Sequence, residues 1–140
     1  MASESQDANG GDAFSSEHTP FDAIGAELGV RALVDAFYDH MDSMESAVVI
    51  RAMHPSDLSD SRDRLFWFLC GWLGGPQHYV QRFGHPRLRM RHAPFAIDQA
   101  ARDAWMHCME AAMDDCELDA TLRQFLDVKF ADLATFMVNR

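Results

Sequence analysis

Apolar residues recur along this chain every three or four positions, and nowhere do they alternate convincingly with polar ones. That property constrains the fold more than any other. Val30, Leu33, Val34, Phe37, Tyr38 and Met41 follow the rhythm of one helical face. So do Ala101, Trp105, Cys108, Met109 and Ala112, and then Leu122, Phe125, Leu126, Phe130, Leu133 and Met137. An α-helix turns once in 3.6 residues, so this spacing gathers the apolar groups into a stripe that another element must cover. A half-buried strand would need period two. The chain is expected to be all-α, with about five substantial helices and no repeats or coiled-coil heptads.

A length of 140 residues is one domain by size, and a chain this long can bury a real core. Residues 1–20, "MASESQDANGGDAFSSEHTP", are polar and rich in Gly and Ser, and read as a disordered N-terminal extension. The folded domain is expected over 21–140. A short helix and a long one follow from Phe21, with Gly25 and Gly29 at their junction. Pro55 stops regular helix at His54. Ser59, Asp60 or Ser61 can cap the next helix, and Gly74-Gly75-Pro76 ends it. Residues 76–97 read as a long irregular connection with a short helical piece starting at Pro86. Asp98 caps the helix after it.

Charge is unevenly spread. The chain has 22 acidic residues against 12 basic ones, a net charge of −10. Yet Arg64 to Ile97 contains no acid, and holds Arg64, Arg82, Arg87, Arg89 and Arg91 with His78, His85 and His92. One buried helix within an uneven distribution would explain this. A pocket for a small anionic ligand explains it more sharply, because a concentrated positive field selects anions. The acidic total argues against nucleic-acid binding. The apolar run "LFWFLCGWLGG" is too short to span a bilayer, and no secretory signal is visible. Three cysteines, Cys70, Cys108 and Cys116, make no disulfide framework and fit a reducing cytoplasm. They form no CxxC pair, and HExxH, GxGxxG, P-loop and CxxCH motifs are absent. A helical pocket that is aromatic, Met-rich and locally cationic suits a large flat ligand with anionic arms. Haem b has that form, with one imidazole for iron and arginines for the propionates.

The run "GGPQHYVQRFGHPRLRMRHAPFAI" followed by "RDAWMHCM" resembles the group II truncated haemoglobins. "FDAIG", "LVDAFYDHM", "HPSDL" and "RLFWFL" match upstream in the same order, so the resemblance covers roughly 21–138. It implies a two-over-two helical sandwich, the truncated globin fold, around haem b. On that resemblance His92 is the proximal ligand to iron. Arg91 and Tyr79 reach the propionates, and Leu65 and Phe68 face the haem. Tyr38 is the distal tyrosine and Trp105 the group II tryptophan, both donors to the distal ligand. Ser61 falls where other globins carry a distal histidine. His54 stands where many relatives have Phe or Tyr, and joins the distal network. Gly25-Ala26 replaces a Gly-Gly pair, at little cost if that backbone is not left-handed.

The resemblance implies binding of O2, NO, CO or peroxide at a five-coordinate iron. A distal cage of donors (Tyr38, Trp105 and His54) favours O2/NO or peroxide chemistry such as NO detoxification, with a reductase partner. The alternatives are oxygen storage, delivery or sensing without turnover, and a six-coordinate electron-transfer protein with His54 on iron. A homodimer is left open.

Overall fold

A computed structural model describes residues 14–140; residues 1–13, most of the expected extension, lie outside the described residues. Residues 14–20 are attached to the fold. The Phe14 ring stands edge-on to Phe125 at 4.9 Å between centroids. Thr19 is buried, and its hydroxyl accepts the Asp22 N–H at 3.0 Å while its own N–H donates to the Asp22 carboxylate at 3.4 Å. This capping box satisfies two donors that a helix start leaves orphaned, and Pro20 at the first helical position needs no N–H there. Ordered structure therefore begins ahead of Phe21.

Eight α-helices follow among the described residues: α1 Pro20–Ile24, α2 Ala26–Ser43, α3 Val48–Ala52, α4 Ser59–Trp72, α5 His78–Phe83, α6 Leu88–His92, α7 Gln99–Cys116 and α8 Ala120–Phe136. A 3₁₀ turn, Glu45–Ala47, leads into α3. Four are long. α2 packs on α4, α7 packs on α8, and the α2–α7 contact joins the two pairs. This is the two-over-two sandwich, and no residue described is in a strand. All six positions of the α2 stripe are buried. Leu122, Leu126 and Phe130 of α8 meet them in the core.

Local chemistry explains most boundaries. The Asp98 and Asp119 carboxylates accept from the N–H groups of Ala101 and Leu122, which starts α7 and α8. α4 departs from expectation. Ser59, Asp60 and Ser61 do not cap it; instead the Asp57 carboxylate accepts both the Ser59 N–H at 2.9 Å and its hydroxyl at 2.7 Å. α6 begins at Leu88 rather than at Pro86, because Arg87 takes a left-handed φ of +50° ahead of it. The connection expected to be mostly irregular contains a second helix, α5. Gly29 is dictated by close approach, since a Cβ there would lie 1.8 Å from the Ile24 carbonyl oxygen. Ala26 has φ +58°, so that backbone is left-handed and the missing glycine of the pair is felt.

Candidate functional site

α6 is only Leu88–His92, and it packs closely against no other helix. The chain's end holds it instead. The Asn139 amide nitrogen donates to the carbonyls of His92 at 3.3 Å and Phe95 at 3.0 Å. Its side-chain oxygen accepts the Ile97 N–H at 2.9 Å, and its backbone N–H donates to the Ile97 carbonyl at 2.8 Å. Within α6, His92 Nδ1 lies 2.8 Å from the Leu88 carbonyl. A carbonyl can only accept, so Nδ1 carries the hydrogen and Nε2 keeps its lone pair. That is the tautomer an Nε2 metal ligand requires.

His54, just beyond α3, has the same arrangement, with Nδ1 2.8 Å from the Ile50 carbonyl. Burial lowers its pKa, Arg51 and His92 lower it further, and the Ile50 hydrogen bond opposes them. The His92 imidazole is thus within electrostatic reach of His54. The Tyr38 ring meets His54 edge-on at 5.8 Å. Phe37 joins Tyr38 to Trp105, at 5.0 and 5.2 Å. Tyr38 is 6% exposed, and burial pushes its phenol far above its ordinary pKa despite the Arg62 guanidinium over the ring. It stays a neutral donor. Neither the Tyr38 hydroxyl nor the Trp105 indole N–H has a hydrogen-bond partner among the described residues. Neither is sealed off, because no fully buried side-chain polar atom there lacks a partner.

Aromatic contacts continue past Trp105. Phe130 lies 5.9 Å from Trp105 and 5.2 Å from Trp72. Trp72 leads to Phe68 at 6.2 Å, and Phe68 to Tyr79 at 6.3 Å. The Arg91 guanidinium lies 5.8 Å from the Tyr79 ring centre. A belt therefore links His54, Tyr38, Trp105, Phe68, Tyr79 and Arg91. Leu65 packs beside it on the core. Leu65, Phe68, Trp72 and Trp105 are only half-buried, which leaves apolar surface for a ligand to cover. A cleft of about 190 Å³ runs along Trp67, Phe68, Trp72, Tyr79 and Pro86. A larger one, about 460 Å³, lies under the N-terminal arm by Phe14 and Phe125, and of the belt it touches Trp72 alone.

Phe37, Phe130 and Trp72 complete the belt and were not singled out as site residues. Helical spacing put Phe37 and Phe130 on buried stripes, where site lining and core look alike. Asn139 gave no signal, since its contacts reach back more than forty residues.

The arginines divide by location. Arg31, Arg51, Arg62, Arg102 and Arg123 are each paired with aspartate. Arg64, Arg82, Arg87, Arg89 and Arg91 have no carboxylate within ion-pair reach among the described residues. Arg64 lies over Phe83, Arg82 over Trp67 and Arg89 over Phe136. Arg91 Nε donates to the Pro86 carbonyl, leaving the rest of its fork available. Among the described residues no three His, Cys, Asp or Glu side chains come together, so His92 belongs to no protein-only metal cage. One imidazole with a free Nε2, an aromatic wall and an uncompensated arginine fit a flat metal-holding macrocycle with anionic arms. No helix among the described residues is long and apolar enough to cross a membrane.

Comparison with known proteins agrees with this arrangement. The family model for "Bacterial-like globin" matches residues 19–139. The group 2 truncated haemoglobin YjbI of Bacillus subtilis is 40% identical over 123 residues, covering 88% of this chain and 90% of that protein. The cold-adapted truncated haemoglobin of Pseudoalteromonas haloplanktis TAC125 superposes with a TM-score of 0.85 at 44% identity, covering 87% of this chain and 98% of that one. The group II 2-on-2 haemoglobin of Agrobacterium tumefaciens gives 0.83 at 43%, covering 86% and 94%.

Proposed function

The chain belongs to the bacterial-like globins, as a group II truncated haemoglobin of a haem- and oxygen-binding family, and from that premise we propose that it performs O2/NO or peroxide chemistry, with NO detoxification foremost. The cofactor is haem b, which supplies an iron with one position open to small ligands and able to change oxidation state.

The protein's part falls to its own side chains. His92 ligates through Nε2, and the Leu88 carbonyl fixes its tautomer. Arg91 would hold a propionate, and Tyr79 would offer its hydroxyl to a propionate as well. Leu65 and Phe68 exclude water from the macrocycle's face. Tyr38 and Trp105 donate hydrogen bonds into the distal space. His54, held neutral by burial, keeps Nε2 as an acceptor there. The three thiols are free, which suits a reducing cytoplasm.

The observation that carries this reading is the pair of donors, Tyr38 Oη and Trp105 Nε1, with no hydrogen-bond partner among the described residues. Hydrogen bonds to a charged acceptor contribute about 1.5–3 kcal/mol each, enough to slow ligand release roughly ten- to a hundredfold. A carrier must let its ligand go, so such donors oppose delivery. A reaction that needs a held, polarised ligand gains from them. Stopped-flow replacement of O2 by CO tests this. Tyr38→Phe removes one oxygen atom and should speed O2 release at least tenfold while changing CO release much less. NO consumption should fall in parallel. Unchanged O2 release in Tyr38→Phe would favour the storage or delivery role instead.

A further inference from the structure

We propose that Arg62 is a positioning residue for Tyr38, holding the phenol where it donates into the distal space. The proposal rests on the reading above, in which that phenol slows ligand release. Arg62 stands on α4, beside Ser61, and crosses to α2. Its Nη1 donates to the Asp35 carbonyl at 3.1 Å and to the Asp35 carboxylate at 3.0 Å, and its Nη2 donates to the Asp39 carboxylate at 2.8 Å. Asp35 and Asp39 are about one helical turn apart and bracket Tyr38 in the chain. The guanidinium carbon lies 5.8 Å from the Tyr38 ring centre. One planar fork thus fastens α4 to the turn of α2 that carries the distal tyrosine.

Stability does not account for this arrangement. Asp39 is exposed, and Arg62 and Asp35 are only part-buried, so ion pairs this wet contribute little to folding. Geometry accounts for it. The donors of a guanidinium fix direction as well as distance, which a lysine ammonium cannot do. Tyr38 packs edge-on against Phe37 and His54, and its hydroxyl has no hydrogen-bond partner among the described residues. No polar contact of its own therefore aims that hydroxyl, and the turn beneath it has to. Aim matters, because a hydrogen bond weakens steeply once its angle falls below about 120°. Charge adds to the effect. Burial raises the phenol's pKa, and the Arg62 guanidinium pulls it back down, which makes the hydroxyl a stronger donor. A second cross-link of the same kind, Arg31 to Asp63 at 2.9 Å, also joins α2 to α4, but its guanidinium lies over Phe66 rather than Tyr38. It supplies an internal control.

The test reads two quantities in haem-loaded ferrous protein: O2 release, by stopped-flow replacement with CO, and the C–O stretching band of the CO form. Arg62→Gln should speed O2 release by about threefold or more, as expected when contacting residues are coupled, and should shift or split the band. Arg62→Lys should act like Arg62→Gln, because it keeps the charge and loses the fork. Asp39→Asn, which weakens one arm of the fork at an exposed position, should move both readouts the same way by less. Asp63→Asn, which breaks only the control pair, should match wild type. In a Tyr38→Phe background, Arg62→Gln should add nothing, since its effect passes through the missing hydroxyl. Wild-type release and an unmoved band in Arg62→Gln overturn the proposal. Full rescue by lysine overturns it too, since charge alone would then be at work. So does an equal effect of Asp63→Asn, which would make Arg62 a general brace between the helices. If Arg62→Gln does not hold haem, Asp39→Asn decides by the same readouts. If Tyr38→Phe itself leaves O2 release unchanged, the proposed function fails, and the C–O band alone then decides the role of Arg62.

Discussion

Ala26→Gly should raise stability, against the usual expectation for glycine in a helical segment. Ala26 opens α2 at φ +58°, directly after Gly25 at φ +104°. An L-residue in the left-handed region is strained by about 1–2 kcal/mol, because its Cβ crowds the following carbonyl. The Ala26 methyl is exposed, so removing it forfeits no packing. Glycine gains freedom in the unfolded chain, which offsets about 0.4–1 kcal/mol of the relief. The net gain is about 0.5–1 kcal/mol, which for 140 residues raises Tm by about 2–3 °C. Thermal unfolding by far-UV circular dichroism, on samples matched for haem content, measures this. Gly25→Ala should move the opposite way, since φ +104° suits alanine still less. If Ala26→Gly lowered Tm by about 3 °C, the penalty of a glycine inside a regular helix, Ala26 would be right-handed and the junction would be misread.

Other consequences can be checked alongside. His92→Gly should lose the native ferrous spectrum, and added imidazole should restore part of it; an unchanged Soret band would remove His92 from the iron. Arg91→Glu should release haem to apomyoglobin faster than wild type, because a carboxylate would then face a propionate; equal rates would take Arg91 out of the site. His54 titrates below its ordinary value of 6.5 in the fold, so the unfolded chain binds the extra proton and stability should fall as pH drops below 6.5. In His54→Gln the urea midpoint should fall less between pH 7 and about pH 5.5, and an identical fall would show that His54 is not held neutral by burial.

The long helices were legible because burial repeats along them: every α2 position at helical spacing is buried. Short elements were not, since six residues of α5 hold less than two turns and show no period. What places α5 is tertiary: it packs on α4, and its His78 imidazole lies 2.8 Å from the Glu27 carboxylate on α2. The handedness of Ala26 was invisible for a like reason: alanine is compatible with either reading, and only the carbonyl of Ile24 pressing on Gly29 forces the sharp entry into α2. The α4 cap came from Asp57, two residues ahead of the helix, where serines nearer the start looked equally able.

Within the site the limit has a different cause. A stripe residue is apolar whether protein or cofactor covers it, so spacing cannot separate core from lining. Burial in the folded chain can. On α7, Ala101, Cys108, Met109 and Ala112 are all buried, yet Trp105 in the same stripe is only half-buried, and its N–H has no partner among the described residues. Protein packing has finished with its neighbours and has stopped short of it. The arginines carry the same message in charge. Those outside Arg64–Ile97 that form side-chain ion pairs each find an aspartate, whereas the five inside it find rings or backbone, or no partner at all, among the described residues. A sequence that strips acids from one segment leaves those arginines nothing local to pair with. The proposed function answers one of them, since the carboxylates of a bound group would stand beside Arg91.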